Sequence, residues 1–239
     1  MVAGIFAEPG LIPPLGLQNL LQREHIPNAS EIVNALKRFV EYIPAEKLRE
    51  VLMEALRTIN QTVEAREMHS QGHGDTVCSY AQAIARELSF GPREMEDLTF
   101  AAQVHDVGKI VVPERLLNKA TALTFDEFQL MKSHTVVGAA LMDIIPDSQN
   151  MRDWILFHQE RYDGGGYPNG LKGEEIPLGA RIIAVAEAYV NMTTDRAYAD
   201  GKTPVDAMQE LEKASGTQFD GMLVRVLIRQ LKGTKSARA

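Results

Sequence analysis

Of the six histidines in this 239-residue sequence, five lie between positions 69 and 158: His69, His73, His105, His134 and His158. His105 is followed directly by Asp106, and Lys109 comes three residues later, between the apolar runs Leu98 to Val104 and Ile110 to Val112. A carboxylate and an ammonium between apolar runs are costly to bury unpaired. Metal coordination removes that cost, and imidazole with carboxylate suits iron, manganese or zinc. An isolated His-Asp pair reads more readily as a helix end with a satisfied imidazole and an exposed carboxylate. Glu187 also stands in an apolar stripe, with Ile183 and Ala184 on its helical face. Two readings are open there: a paired or metal-bound carboxylate, or a groove-edge carboxylate that reaches water. His69 and His73 are four residues apart and share a helical face. His134 lies on the stripe of Met131 and Val137, and His158 ends the apolar turn of Trp154, Ile155 and Leu156. Packing alone gives no reason to gather so many imidazoles around one pair of carboxylates.

The elements that must position these groups read as helices. Ser30 is placed to cap a helix running to about Tyr42, and Pro44 to open a longer one carrying Leu48, Val51, Leu52, Ala55, Leu56, Ile59 and Val63 at helical spacing. Val77, Ala81, Ile84, Ala85 and Leu88 form the next stripe, which Gly91-Pro92 stops. Met95, Leu98, Ala101 and Ala102 then lead into His105. Thr124 with Glu127 reads as a capping box, and Thr203-Pro204 with Asp206 as another helix start. Strict alternation is scarce, so few strands are expected. The run Asp163-Gly164-Gly165-Gly166-Tyr167-Pro168-Asn169-Gly170 has no helical reading and must be a shaped loop. Residues 1 to about 29 are rich in Pro and Gly, with one short helix expected around Leu17 to Gln22.

The formal net charge is −7, which disfavours a grip on nucleic acid through the bulk field, so an anionic substrate needs local cations or metal ions. Cys78 is the only cysteine, so no intrachain disulfide can form, which fits a reducing cytoplasm. The N-terminus lacks a signal-peptide pattern, and no apolar run approaches membrane-spanning length. The expectation is a cytoplasmic protein without membrane contact.

The order and spacing of these residues, from about Arg66 to about Asp220, resemble the HD-GYP family of phosphohydrolases. The matching elements are Gly72-His73, His105-Asp106-Val107-Gly108-Lys109, Met131-Lys132-Ser133-His134 and Thr194-Asp195-Arg196-Ala197-Tyr198. The most specific is His158-Gln159-Glu160-Arg161-Tyr162-Asp163-Gly164-Gly165-Gly166-Tyr167-Pro168, which is similar to the family's HHExxDGxGYP signature with one substitution. The resemblance implies an all-α HD-superfamily helical bundle with two or three transition-metal ions, iron or manganese. It implies hydrolysis of cyclic di-GMP by a metal-bridging hydroxide. Carried over by position, the metal ligands are His73, His105, Asp106, His134, His158 and Glu187, with Gln159 and His69 as further candidates. Asp106 bridges two metals in that reading, and Lys109 neutralises a phosphate oxygen. Arg161, Asp163, Tyr167 and Arg196 face the substrate.

This sequence departs from the family at several of these positions. The second histidine of the family's HH pair is Gln159, a weaker neutral ligand, and the expected late aspartate is Glu187. Ala199 stands where a basic residue often follows, which leaves one substrate cation missing. His69 is either a substitute ligand or a surface residue one turn before the site. Three functions are therefore open: an active cyclic di-GMP phosphodiesterase, a degenerate module that binds metal or nucleotide and signals through a protein partner, and a phosphohydrolase of another nucleotide. The domain reading is a helical N-terminal appendage over 1–64 that packs on the core or mediates a homodimer, a catalytic domain over 65–231, and a frayed tail over 232–239.

Overall fold

A computed structural model describes residues 28–40, 42–68, 70–195 and 201–236 of the chain. The candidates His69 and Arg196 lie outside the described residues, as does the short helix expected near Leu17 to Gln22. The described residues form ten α-helices and no strand, which establishes the all-α class. These are α1 (Ala29–Val40), α2 (Leu48–Arg66), α3 (His73–Glu87), α4 (Pro92–Val104) and α5 (Glu114–Leu117). They continue as α6 (Phe125–Met142), α7 (Gln149–Phe157), α8 (Leu178–Thr193), α9 (Pro204–Lys213) and α10 (Gly221–Ser236). Short 3₁₀ turns at Ala45–Lys47, Val107–Val111 and Gly173–Glu175 join them.

The helix starts follow the local chemistry. Thr124 and Glu127 make the expected reciprocal box: the Glu127 amide donates to Thr124 Oγ1 and the Thr124 amide to Glu127 Oε2. Thr203 Oγ1 accepts from the Asp206 amide. The first helix differs from expectation. Asn28, not Ser30, caps it, with Asn28 Oδ1 accepting from the Glu31 amide and Glu31 Oε2 accepting from the Asn28 amide, both at 3.0 Å. A competent cap two residues earlier leaves Ser30 inside the helix. α10 runs to Ser236, into the tail expected to fray.

One hydrophobic cluster extends from Val33 in α1 to Ile228 in α10. It takes in Val77, Ala81, Ile84 and Ala85 of α3 and Leu98, Ala101 and Ala102 of α4, the residues whose periodicity marks them. Leu52 and Leu56 of α2 are fully buried in the same cluster, and α2 runs unbroken through the 64/65 boundary read from the sequence. α3 packs on α4 and α8, and α6 packs on α7 and on the 107–111 turn.

Two glycines permit the closest approaches. A Cβ on Gly74 would meet the Gln103 carbonyl oxygen at 2.1 Å, so α3 can lie against the end of α4 only without a side chain there. A Cβ on Gly108 would meet the His134 carbonyl oxygen at 1.9 Å and the Gly138 amide nitrogen at 2.6 Å. Both obstacles are backbone, which cannot swing aside. Gly108→Ala is therefore expected to destabilise the protein by about 2 kcal/mol or more, lowering the thermal midpoint by roughly 4–8 °C. Gly233→Ala, with nothing within 4 Å of the new methyl group, is expected to leave the midpoint unchanged or raise it slightly in the same scan.

Candidate metal centre

His105 and Asp106 close α4 and open the 107–111 turn, so both side chains emerge where the helix ends. His105 is 1% exposed. Its Nδ1 donates to the Ala102 carbonyl at 2.9 Å, which leaves Nε2 to point inward. His134 repeats the pattern with the Met131 carbonyl at 2.7 Å, and His158 with the Ile155 carbonyl at 2.7 Å. Each imidazole thus bonds the carbonyl three residues before it, which fixes the ring and directs Nε2 to a common centre. The rings of His105 and His158 lie 5.2 Å apart, and those of His134 and His158 5.3 Å apart.

His73 reaches the same place from the start of α3, its ring 5.4 Å from that of His105. The start of α3 is fixed by Glu64, whose two carboxylate oxygens accept from the amides of Gly72 and Gly74, each at 2.9 Å. Gly72 adopts φ +74°, a left-handed turn that glycine takes without steric cost. Asn60 braces Glu64 Oε1 at 3.1 Å and the Gln103 carbonyl at 3.0 Å, tying α2, α3 and α4 together at the site.

Asp106 is the shared member. One oxygen lies 3.4 Å from His105 Nε2 and the other 3.5 Å from His134 Nε2. Two sets of potential ligands meet at it: His73, His105, Asp106 and Glu187 form one, and Asp106, His134 and His158 the other. Within each set the donor atoms lie within 4.8 Å of one another. Among the described residues, His105 Nε2 is buried with no hydrogen-bond partner. Its approach to Asp106 is too long and misdirected to serve as one. Such a nitrogen, facing a carboxylate, is what a cation fills, and the donor set fits a divalent transition ion.

The electrostatics agree. Burial pushes the His158 imidazole down to about 4, against the pull of Glu187, and burial also lowers His73 and His134. All three are held as neutral imidazoles, the form that ligates metal. His105 is the exception. Burial opposes its protonation, but Asp106 and then Glu187 outweigh it and raise the ring to about 9. The two carboxylates make its nitrogen a place for positive charge, whether a proton or a metal ion. Burial would raise Asp106, yet Lys109 and His105 hold it well below the usual carboxylate range. Glu187 is lowered, with burial overcome by His105 and His158.

Lys109 Nζ sits 2.9 Å from Asp106 Oδ2 and 2.9 Å from Glu67 Oε2. Glu67 carries no motif in the sequence. It follows α2 directly, and only the fold brings it to Lys109, 42 residues on. Gln159 does not face the cluster as a free ligand: its amide nitrogen donates to both oxygens of Glu187, at 3.3 and 3.1 Å, and Asn191 Nδ2 adds a third bond at 3.3 Å.

The loop after His158 is built on Glu160, 4% exposed, whose Oε1 accepts from the amides of Asn169 and Gly170 at 2.7 and 3.0 Å. A Cβ on Gly166 would strike the Arg161 amide nitrogen at 2.3 Å, which explains the glycine before Tyr167. Arg161 and Asp163 pair with each other at 2.6 Å on the surface of the loop. Tyr167 turns inward, its ring 6.4 Å from that of His134, and burial raises its hydroxyl. Beside this loop lies a cavity of about 600 Å³ lined by His158, Gln159, Glu187, Tyr167, Phe128 and Lys132, among others.

A family model described as "HD domain" matches residues 57–223. A cyclic di-GMP phosphodiesterase of Thermotoga maritima is 35% identical over 193 residues, covering 80% of this chain and 51% of that protein. A 3'3'-cGAMP-specific phosphodiesterase of Vibrio cholerae is 30% identical over 183 residues, covering 76% of this chain and 35% of that protein. The chain thus spans about half the length, or less, of these curated relatives. Among solved structures, an HD-GYP-type protein of Bdellovibrio bacteriovorus superposes with a TM-score of 0.58 at 19% identity, covering 97% of this chain and 76% of that one, which shows a common fold. With its helical bundle and its buried His-Asp pair at the end of α4, the chain belongs to the HD-domain family, in its HD-GYP branch.

Proposed function

We propose that this chain is a metal-dependent phosphodiesterase of cyclic dinucleotides, with cyclic di-GMP as substrate and two iron or manganese ions at the histidine cluster. The observation that carries the reading is Asp106: its two oxygens face imidazoles of two separate ligand sets, beside a buried nitrogen that has no partner among the described residues. The relatives named as cyclic di-GMP and 3'3'-cGAMP phosphodiesterases support the substrate class. Bound there, divalent ions would lower the pKa of water and draw charge from the phosphoryl oxygens.

The side chains have distinct parts in this reading. His73, His105, Asp106 and Glu187 would hold one ion, and Asp106, His134 and His158 the other. Lys109 spends two of its three donors on Asp106 and Glu67, which fixes the bridging carboxylate and leaves one N–H for a phosphate oxygen. Gln159 is a positioning residue that orients Glu187 by donating to both of its carboxylate oxygens, in place of an imidazole ligand. Tyr167 forms part of the cavity wall beside His134. Hydrolysis breaks the bond from phosphorus to a ribose oxygen and forms one to the oxygen of water, giving a linear dinucleotide. The catalytic unit, residues 65–231 in the sequence reading, takes its bracing from α2 through Asn60 and Glu64.

The second reading, a degenerate module that binds metal or nucleotide without turnover, is favoured by one observation: the amide of Gln159 occupies the Glu187 carboxylate where the family places a second histidine. Purified protein loaded with Mn(II) or Fe(II) and incubated with cyclic di-GMP separates the two. Turnover supports the enzyme, whereas full metal occupancy with no linear product supports the module. Asp106→Ala is expected to remove bound metal, measured by elemental analysis, together with any turnover.

Gln159→Ala is expected to weaken metal binding about tenfold, as for other residues that orient a ligand, measured by competition with a chromogenic chelator. Metal binding is also expected to release protons. His105 rises to about 9 in the metal-free protein and must lose its proton to bind metal, so affinity should grow as pH rises from 7 towards 9 and level off above that. Calorimetry in buffers of different ionisation enthalpy counts the protons released; a value of zero at pH 7.5 contradicts this assignment.

A further inference from the structure

Among the described residues, the cations Lys109, Arg161 and Lys132 stand near the cavity, and the first two are already neutralised. Lys109 is held by Asp106 and Glu67, and Arg161 pairs with Asp163 at 2.6 Å. Lys132 lines the cavity and has no carboxylate partner among the described residues. Its ammonium instead lies over two aromatic faces, 4.7 Å from the centre of the Phe128 ring and 5.2 Å from that of Tyr167. The two rings meet edge to face at 6.3 Å. Phe128 and Lys132 stand four residues apart on α6, so they share one helical face. Phe128 is 43% exposed, an unusual position for a large apolar side chain at the mouth of a cavity.

These groups extend outward from the metal cluster in a fixed order. His134 lies within the cluster, Tyr167 packs beside it, and Phe128 with Lys132 forms the rim beyond Tyr167. A simple phosphodiester held at Asp106 would leave the rim unused. A cyclic dinucleotide carries a second phosphate and two purines, fixed by its ring at a set distance from the first phosphate. An ammonium held by ring faces offers N–H donors to an anion. An exposed phenyl face beside it suits a purine. The cavity wall also contains Glu187 and Glu210, so a doubly anionic ligand needs such a charge to enter.

We propose that Lys132, held between Phe128 and Tyr167, is the specificity-determining contact for the second, uncleaved phosphodiester of a cyclic dinucleotide, with the Phe128 face taking a purine. This rests on the phosphodiesterase reading only for where the first phosphate lies.

The test is calorimetric binding of a phosphorothioate analogue of cyclic di-GMP that resists hydrolysis, with the full chain loaded with Mn(II). Lys132→Met, which keeps the length and apolar stem of the side chain, is expected to weaken binding about tenfold, the worth of one charge-assisted hydrogen bond. Lys132→Arg is expected to restore most of the affinity. Phe128→Ala is expected to lose about fivefold or more through stacking. Wild-type affinity should also fall more steeply with added salt than that of Lys132→Met. Wild-type-like affinity and salt dependence in Lys132→Met overturn the proposal, as does the absence of binding to the wild type. Turnover of cyclic di-GMP by the wild type is measured separately. Lys132-dependent binding without turnover retires the phosphodiesterase reading and leaves this one standing; turnover with Lys132-independent binding does the reverse.

Discussion

The structure turns on one carboxylate. Asp106 is buried beside imidazoles from two different helices, and an ionised carboxylate in such a place is untenable without compensating positive charge. Lys109 supplies part of that charge and is itself fixed by Glu67. The remainder falls on His105, whose raised affinity for a proton shows how strongly the site calls for a cation. Much of the surrounding architecture serves to hold this arrangement. Glu64 pins the helix start that carries His73, Gly108 lets α6 approach closely enough to bring in His134, and three backbone carbonyls aim three imidazoles inward.

Rigidity has a physical source here. The imidazoles of His105, His134 and His158 are each locked by a bond to the carbonyl three residues before, so their directions are inherited from their helix axes. Five helices, α3, α4, α6, α7 and α8, must then keep their relative positions for the donor atoms to converge, and a large shared core from Val33 to Ile228 maintains them. The helices that precede the motif region belong to this scaffold, since Leu52 and Leu56 are as deeply buried as any residue of α3 or α4.

The substitution of glutamine at position 159 changes the site in a way its chemistry permits. A histidine there would offer a lone pair to a metal. Glutamine offers an amide, and in this fold the N–H groups turn to Glu187, whose longer side chain brings its carboxylate within reach. The two departures from the family pattern are thus partners in one hydrogen-bonded unit. The anionic charge of Glu187 is kept next to His105 and His73, as an aspartate would keep it, and is steadied by the neutral donors of Gln159 and Asn191.

The sequence by itself determined the helical class, the stripes of Val77 to Ala85 and Leu98 to Ala102, the caps at Thr124 and Thr203, and the ligand candidates His73, His105, Asp106, His134, His158 and Glu187. Those features are local: periodicity, caps and residue chemistry act within a few positions of one another. Only the tertiary structure decided that Glu67 neutralises Lys109, that Glu64 and Asn60 anchor the start of α3, that Gln159 serves Glu187, and that Lys132 stands at the cavity mouth between two rings. Most of these contacts join residues on different helices. Lys132 and Phe128 share a helix, but Tyr167 reaches them from a distant loop. Nothing in the spacing of a sequence records which helix faces will meet, because that is settled by how the whole core packs.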